Sequence, residues 1–258
     1  YKAAKSMEVA APDLSRICGI ALNGDPENNS IDVRDYQTFW LGVKTNLKGY
    51  NPTAPDAVLP ALADISAYLY NDHNTDPLIK AALVHYQFEM IHPFERYNGI
   101  VGRIIVPMVL RDTIGEAMPL ICLSEYLYHN KNEYFDLLRT TQYSGGYIRW
   151  IKFFVCAVGE AAKQSAKLLA QYENDILWTE QQIKENTLSS KSIWGVYNYL
   201  KRYPVSSISR ATEQTRFSFN SISKAMQSLK ETGIVQETAE VRNRIWVHKK
   251  LIENLWYF

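Results

Sequence analysis

The chain has little cysteine: Cys18, Cys122 and Cys156 are far apart, odd in number and form no CxxC pair. That excludes a disulfide framework and gives no zinc-ligand spacing, so free thiols in a reducing compartment are expected. No apolar stretch approaches the ~18 residues of a membrane span, and no basic-then-apolar leader is seen. The chain is read as cytoplasmic, with no membrane partner. Repeats and low-complexity tracts are also lacking, which sets aside solenoids and long disordered arrays. Net charge is small, 28 Lys and Arg against 27 Asp and Glu. The molecule as a whole therefore has no strong field toward nucleic acid or acidic partners.

What is present fits a folded protein. Hydrophobic residues make up 47% of the 258 and charged residues 21%, ordinary globular values. The length suits one large domain, or a medium domain with a small one. Charge is unevenly placed: from Thr187 onward there are 11 Lys and Arg against 5 Asp and Glu. A basic tail thus follows an acidic front.

Helical periodicity dominates the front. Ala57 to Tyr70 places apolar residues at helical spacing. Asp76-Pro77 reads as N-cap and first helical position of a helix to Ile91, stopped by Pro93. A loop from His92 to Gly99 leads to a helix from Gly99 to Thr113, ending near Gly115. Another helix starts at Ser124 and carries Tyr126, Leu127, Tyr134, Leu137 and Leu138 inward. Ile148 to Lys184 reads as one or two long helices. Asp35 to Asp56, with Phe39, Trp40, Val43, Gly49, Pro52 and Pro55, suggests a short hairpin or extended flap.

The polar stretch from Glu180 to Ser192 is the expected linker. Beyond it the pattern gives helices at Ile193–Tyr203, Ser206–Gln214 and Ser218–Thr232. Two strands follow, Ile234–Glu237 and Arg244–His248. Three helices and a two-stranded hairpin is the winged-helix order, so domains are expected at 1–185 and 186–258.

The chemistry lies in His92 to Arg103, HPFERYNGIVGR. A histidine ends one helix. Asn98-Gly99 opens the next, where free N–H groups and the helix dipole favour an anion. Gly99 permits unusual backbone angles and Gly102 permits close approach. Arg103 offers a planar cationic fork. Proton acceptor, phosphate cradle and clamp share one corner; the bland alternative is a polar helix–loop–helix turn.

This string resembles the signature of the Fic family, HPF-x-(D/E)-GNGR-x-x-R. Neighbouring stretches also resemble it: Pro77–Lys80, Ala82–Phe94, Tyr50–Pro60, Leu123–Leu127, Asn132–Tyr134 and Trp150–Phe154. The likeness spans residues 1–180. It implies a mainly α, Fic-type bundle with a short β-hairpin flap, followed by the winged helix. It also implies transfer of AMP from ATP to a Ser, Thr or Tyr hydroxyl of a protein target. His92 would be the general base, its ordinary pKa near ~6.5 suited to the task. Phe94 would fix the loop. Asn98, Gly99, Gly102 and Arg103 would hold the nucleotide phosphates.

Three positions depart from the pattern. Arg96 replaces the acid that holds Mg²⁺, Tyr97 the first glycine and Ile100 the first arginine. Charge neutralisation carries much of such transfers, so the expected activity is weakened or atypical. Glu95 and Arg96 are candidate substitutes for the missing groups, and the family's Mg²⁺ ligand is gone. The alternative is a catalytically inactive nucleotide-binding or DNA-binding regulator. Ala4–Val9 resembles a worn inhibitory helix of the family, which implies that Glu8 pairs with Arg103. Glu89 and His92 have E-x-x-H spacing without a second copy, and His85 reads as a packed core histidine.

In the tail, Asn220, Ser221, Ser223, Lys224 and Gln227 line the third helix, with Arg216, Arg242 and Arg244 able to grip a DNA backbone. Such modules also serve in protein interaction or homodimerisation.

Overall fold

The computed structural model describes residues 7–23, 30–39, 50–115, 121–186, 190–238 and 244–256. The chain forms two compact units, Tyr1–Ser165 and Ala166–Phe258. In the first, α1 (Ala11–Asn23) comes before a 3₁₀ turn at Pro55–Ala57, which leads into α2 (Val58–Asn71). Then come α3 (Pro77–Ile91), α4 (Asn98–Val109), α5 (Arg111–Ile114), α6 (Ser124–His129) and α7 (Lys131–Ser144). The 39-residue α8 (Tyr147–Glu185) follows; its residues from Ala166 onward belong to the second unit.

Helix α3 has the predicted bounds because its cap works as read. The Asp76 carboxylate accepts hydrogen bonds from the Leu78 and Ile79 amides, with Pro77 at the first position. The helix is buried nearly all round, the expected state of a helix without a polar face. One side (Ala81, Ala82, Tyr86, Met90) joins a core with Trp150, Phe154, Leu137 and Leu138. The other (Val84, Phe88, Ile91) joins a core with Leu14, Leu62, Phe94, Val101 and Ile105. Residues at the end of α3 are therefore fixed from two directions.

Two helices read as single are each divided. The stretch from Asn98 is interrupted at Leu110, after Pro107, which has no N–H for the Arg103 carbonyl. The stretch from Ser124 breaks at Asn130, whose side chain donates to the Tyr126 carbonyl at 2.9 Å. Such local bonding by Asn competes with the helix ladder. In the stretch expected to form the flap, the described residues 30–39 contain no strand, and Trp40, Val43 and Gly49 lie outside the described residues.

The second unit contains α9 (Lys191–Arg202), β1 (Val205–Ser207), α10 (Ile208–Gln214), α11 (Phe219–Glu231), β2 (Val235–Glu237), β3 (Ile245–His248) and α12 (Lys249–Trp256). Its antiparallel sheet has the order β1-β3-β2, pairing Ser206 with Trp246 and Gln236 with Val247. Strand β1 and helix α12 were not expected; three-residue Val205–Ser207 is too short for an alternation signal. Ile183, near the end of α8, packs with Val196, Tyr197, Leu200, Met226 and Trp246 in this unit's core. The polar stretch thought to be a linker is therefore helical up to Glu185.

Candidate functional site

The corner between α3 and α4 is held in a non-helical path by two residues in the left-handed region. His92 has φ 49° and ψ 60°, and Tyr97 has φ 65° and ψ 10°. Histidine tolerates that region better than most residues; tyrosine does not. Interactions around the loop maintain the shape. Arg34, 4% exposed, donates from its guanidinium to the carbonyls of Ile91 (3.0 Å), His92 (2.8 Å), Tyr36 (2.8 Å) and Thr53. Its own N–H donates to the Pro93 carbonyl at 2.8 Å. Carbonyls at the end of a helix lack intrahelical donors, and Arg34 supplies them.

On the other side of the loop Asn98, 2% exposed, bonds the Phe94 backbone twice. Its Oδ1 accepts from the Phe94 N–H at 2.9 Å and its Nδ2 donates to the Phe94 carbonyl at 2.7 Å. The Phe94 ring is buried beside Phe88. The Asn98 side chain is thus committed to the loop and contributes only its backbone to an anion cradle. Tyr97 gives α4 no side-chain cap, and its carbonyl takes the Ile100 and Val101 amides, so the Asn98 and Gly99 amides are the ones that suit an external acceptor.

His92 is half-buried, with Nδ1 3.2 Å from the Tyr50 hydroxyl. Burial, then the Arg34 charge, pushes its pKa down from 6.5 to about 4, opposed by a hydrogen bond to the Glu89 carbonyl. This corrects the expectation of an ordinary value: the imidazole is neutral at pH 7 and a weaker base than a free histidine.

Arg103 lies over the start of α4, with Nη1 3.1 Å from where a Cβ on Gly99 would stand. Gly99 thus makes room for the arginine, and its φ is not positive. Gly102 differs from its reading as a nucleotide-binding position. A Cβ there would meet Glu89 Oε1 at 2.5 Å and Phe88 Cδ1 at 3.2 Å. It serves the close packing of α4 on α3. Beneath it His85 is fully buried, bonded to the Gly102 carbonyl at 2.9 Å and to the Tyr134 hydroxyl at 3.0 Å. That agrees with a core role. Glu89 is buried with no partner for Oε1, and burial raises its pKa to about 7 against the opposing pull of Arg103.

The altered positions face outward. Arg96 and Glu95 are exposed and 3.9 Å apart. Tyr97 and Ile100 are each 37% exposed. Among the described residues no group of three or more His, Cys, Asp or Glu could hold a metal ion. A cation at position 96 is chemically unsuited to Mg²⁺, so the loop does not fit the family's metal.

Glu8 departs from its expected pairing. Its carboxylate lies 3.2 Å from Arg111 Nη2, and Arg111 Nη1 donates to the Met7 carbonyl. Arg111 is eight residues beyond Arg103, roughly 12 Å along a helix. Residues 7–10 are not helical, and Ala4 lies outside the described residues.

In the second unit Arg216 and Lys224 are exposed, whereas Arg244 pairs with Glu237 at 3.1 Å. Lys230 reaches the same carboxylate at 2.6 Å. Arg242 lies outside the described residues. Sequence reasoning missed Arg34 and Tyr50 as parts of the site. Arg34 carries no motif; Tyr50 was visible only at the start of the Tyr50-Asn51-Pro52 resemblance.

Residues 17–110 match the Fic/DOC family. Protein adenylyltransferase fic-1 of Caenorhabditis briggsae is 38% identical over 64 residues, 24% of this chain and 12% of that protein. A probable protein adenylyltransferase of Aquifex aeolicus is 28% identical over 119 residues, 42% of this chain and 34% of that protein. The chain therefore spans about a third or less of these relatives. In fold it is similar to a Fic family protein from Desulfovibrio desulfuricans, with TM-score 0.55, 15% identity, and 96% of this chain and 72% of that one covered. A Fic domain containing signaling protein from Bacteroides thetaiotaomicron gives TM-score 0.50 at 18% identity over 65% of each chain. Among the described residues no helix is long and apolar enough to cross a membrane. A histidine-ended α3, a clamped loop and an arginine over the start of α4 all lie within residues 17–110, the stretch that matches the Fic/DOC family.

Proposed function

We propose that the front unit is a weakened protein adenylyltransferase with ATP as its substrate. The observation that carries this reading is the pairing of a neutral His92 with the Asn98 and Gly99 amides at the start of α4 and Arg103 poised above Gly99. The target's Ser, Thr or Tyr oxygen attacks the α-phosphorus and its proton passes to His92. The bond from the α-phosphorus to the bridging oxygen breaks, and pyrophosphate leaves. Amides and Arg103 neutralise the developing charge. No step is assigned to Mg²⁺; Arg96 puts a cation at the position of the lost acid.

Autolabelling with α-labelled ATP tests this. Wild type should label weakly and with little dependence on Mg²⁺. The repaired triple variant Arg96→Asp, Tyr97→Gly, Ile100→Arg should label about 10²-fold faster and require the metal, given what single charge-stabilising groups contribute. His92→Ala should abolish both. Absence of label from wild type and repaired protein alike would leave the regulator reading, an inactive nucleotide binder.

A second reading concerns the tail, which we take as a winged helix that contacts DNA. Exposed Asn220, Lys224 and Gln227 on α11 favour it, because that spacing forms one helical stripe. With Arg244 drawn to Glu237, phosphate contacts fall to Arg216 and Lys224, plus Arg242. At ~0.9 per contact the salt slope should be about −2 to −3. Anisotropy titrations of the full chain across a salt series read it. No binding at low salt would favour protein interaction or homodimerisation.

A further inference from the structure

We propose that Tyr50 is a positioning residue for His92: its hydroxyl accepts the Nδ1 proton of the imidazole and so leaves Nε2 as the basic nitrogen. The proposal rests on the transfer reading for its purpose, but not for its test. Tyr50 is 3% exposed, with its hydroxyl 3.2 Å from Nδ1 and its ring at 68° to the imidazole.

A neutral imidazole carries one proton, and the partner of one nitrogen decides which atom can accept another. Were the hydroxyl to donate to Nδ1, the proton would sit on Nε2 and His92 could not act as a base through it. Were the hydroxyl to accept, Nε2 would keep its lone pair. The Glu89 backbone also favours the protonated ring, and a carbonyl can only accept, so the assignment takes the imidazole as donor and the Tyr50 hydroxyl as acceptor at Nδ1. Tyr50's burial, and then the Glu89 charge, hold the phenol protonated, so it is a neutral partner at working pH.

Tyr50 is itself held at the correct depth. The next residue bonds Gln142 in both directions: the Asn51 N–H donates to Oε1 at 3.3 Å, and Gln142 Nε2 donates to the Asn51 carbonyl at 2.9 Å. Two residues later the Thr53 N–H donates to the Met90 carbonyl at 3.1 Å, and the Thr53 carbonyl accepts from Arg34. The backbone on either side of His92 is thus tied to the backbone that carries Tyr50. Arg34 bridges the two, reaching the His92 and Thr53 carbonyls together. The imidazole has a fixed partner on a fixed support.

The experiment is long-range ¹H–¹⁵N correlation on histidine-labelled full-length protein, with His92 assigned by its loss in His92→Ala. Wild type should show His92 as the Nδ1–H tautomer. Tyr50→Phe, which removes one oxygen, should shift its nitrogens toward a tautomer mixture. An Nε2–H tautomer in wild type would overturn the proposal, and so would unchanged nitrogen shifts in a folded Tyr50→Phe. The wild-type spectrum decides alone if that variant does not fold. In the labelling assay Tyr50→Phe should lower kcat between about 10- and 100-fold, within a general base's contribution, with KM for ATP within about two-fold. A kcat within two-fold of wild type, or a loss confined to KM, would also overturn it. If wild type does not label, the transfer reading fails and the nitrogen shifts still decide the tautomer.

Discussion

The buried and the exposed positions at the α3–α4 loop contrast sharply. Arg34, Phe94 and Asn98 are bonded or packed and are 4%, 1% and 2% exposed. Arg96, Tyr97 and Ile100 face outward, and these are the three positions where the chain departs from the family string. Buried positions are constrained by packing and hydrogen bonding, so the loop keeps its path. Exposed positions are freer of packing, so away from special backbone angles such as that of Tyr97 their change costs little stability. The front unit teaches that a retained fold and a retained reaction are separate properties even within one twelve-residue string.

The largest effect should come from Arg34→Met. The variant removes the donor shared by the Ile91, His92, Tyr36 and Thr53 carbonyls. Orphaned buried groups cost about 1–3 kcal/mol each, though water can reach some; a net loss of about 3–5 kcal/mol is expected in urea unfolding. The substitution also removes a positive charge beside His92. Its pKa should then rise from about 4 toward 6.5, read by NMR titration. A histidine with a lowered folded pKa lends stability above its unfolded pKa and loses it as pH falls through the window from 6.5 to 4. Arg34→Met should therefore flatten His92's share of acid destabilisation. An unchanged His92 titration in folded Arg34→Met would mean that burial alone sets it.

Asn98→Ala comes next. It strips both bonds from the Phe94 backbone, and a loss of about 2–4 kcal/mol follows from two unpaired buried groups. Ile100→Ala, two residues away, should stay within about 0.5 kcal/mol, as exposed substitutions do. Equal losses at the two positions would dissolve the contrast between the buried and the exposed positions.

Much of this was legible in sequence, and the reasons are local. Asp76-Pro77 and Pro93 bounded α3 because caps and prolines act on neighbouring backbone. Phe94's inward position followed from the family string. His85 was legible as core because a polar residue in an apolar run must be buried with a partner. Arg34 and Tyr50 were not, because their role comes from contacts 42 to 58 residues distant in sequence, which no local pattern records. Glu8 failed for the same reason: a spacing match cannot tell whether a carboxylate meets Arg103 or Arg111 on the next turns. The altered triplet was plain as a departure, but its exposure was not.

The smallest expected effect is the sharpest test, because it predicts a change of sign. Tyr97 occupies φ 65°, where a Cβ meets the following carbonyl; for a non-glycine residue this costs roughly 1–2 kcal/mol. The family string has a glycine here, and Gly99, which the chain keeps, has no positive φ. The motif thus lost the glycine whose backbone required it. Comparing Tyr97→Gly with wild type would mix backbone relief with the loss of a partly covered ring. Comparing Tyr97→Gly with Tyr97→Ala removes the ring in both and leaves the backbone. Glycine should be the more stable by about 0.5–1 kcal/mol, since part of the relief is offset by glycine's freedom in the unfolded chain. At Ile100, within the first turn of α4 and in ordinary helical geometry, the same pair should reverse, with alanine ahead by about 0.5–1 kcal/mol. Thermal or urea unfolding of the four variants measures both differences. Alanine ahead at both positions would mean that Tyr97 leaves the left-handed region in solution. The loop would then have two shapes, and the cradle at the start of α4 would form only when an anion selects one of them.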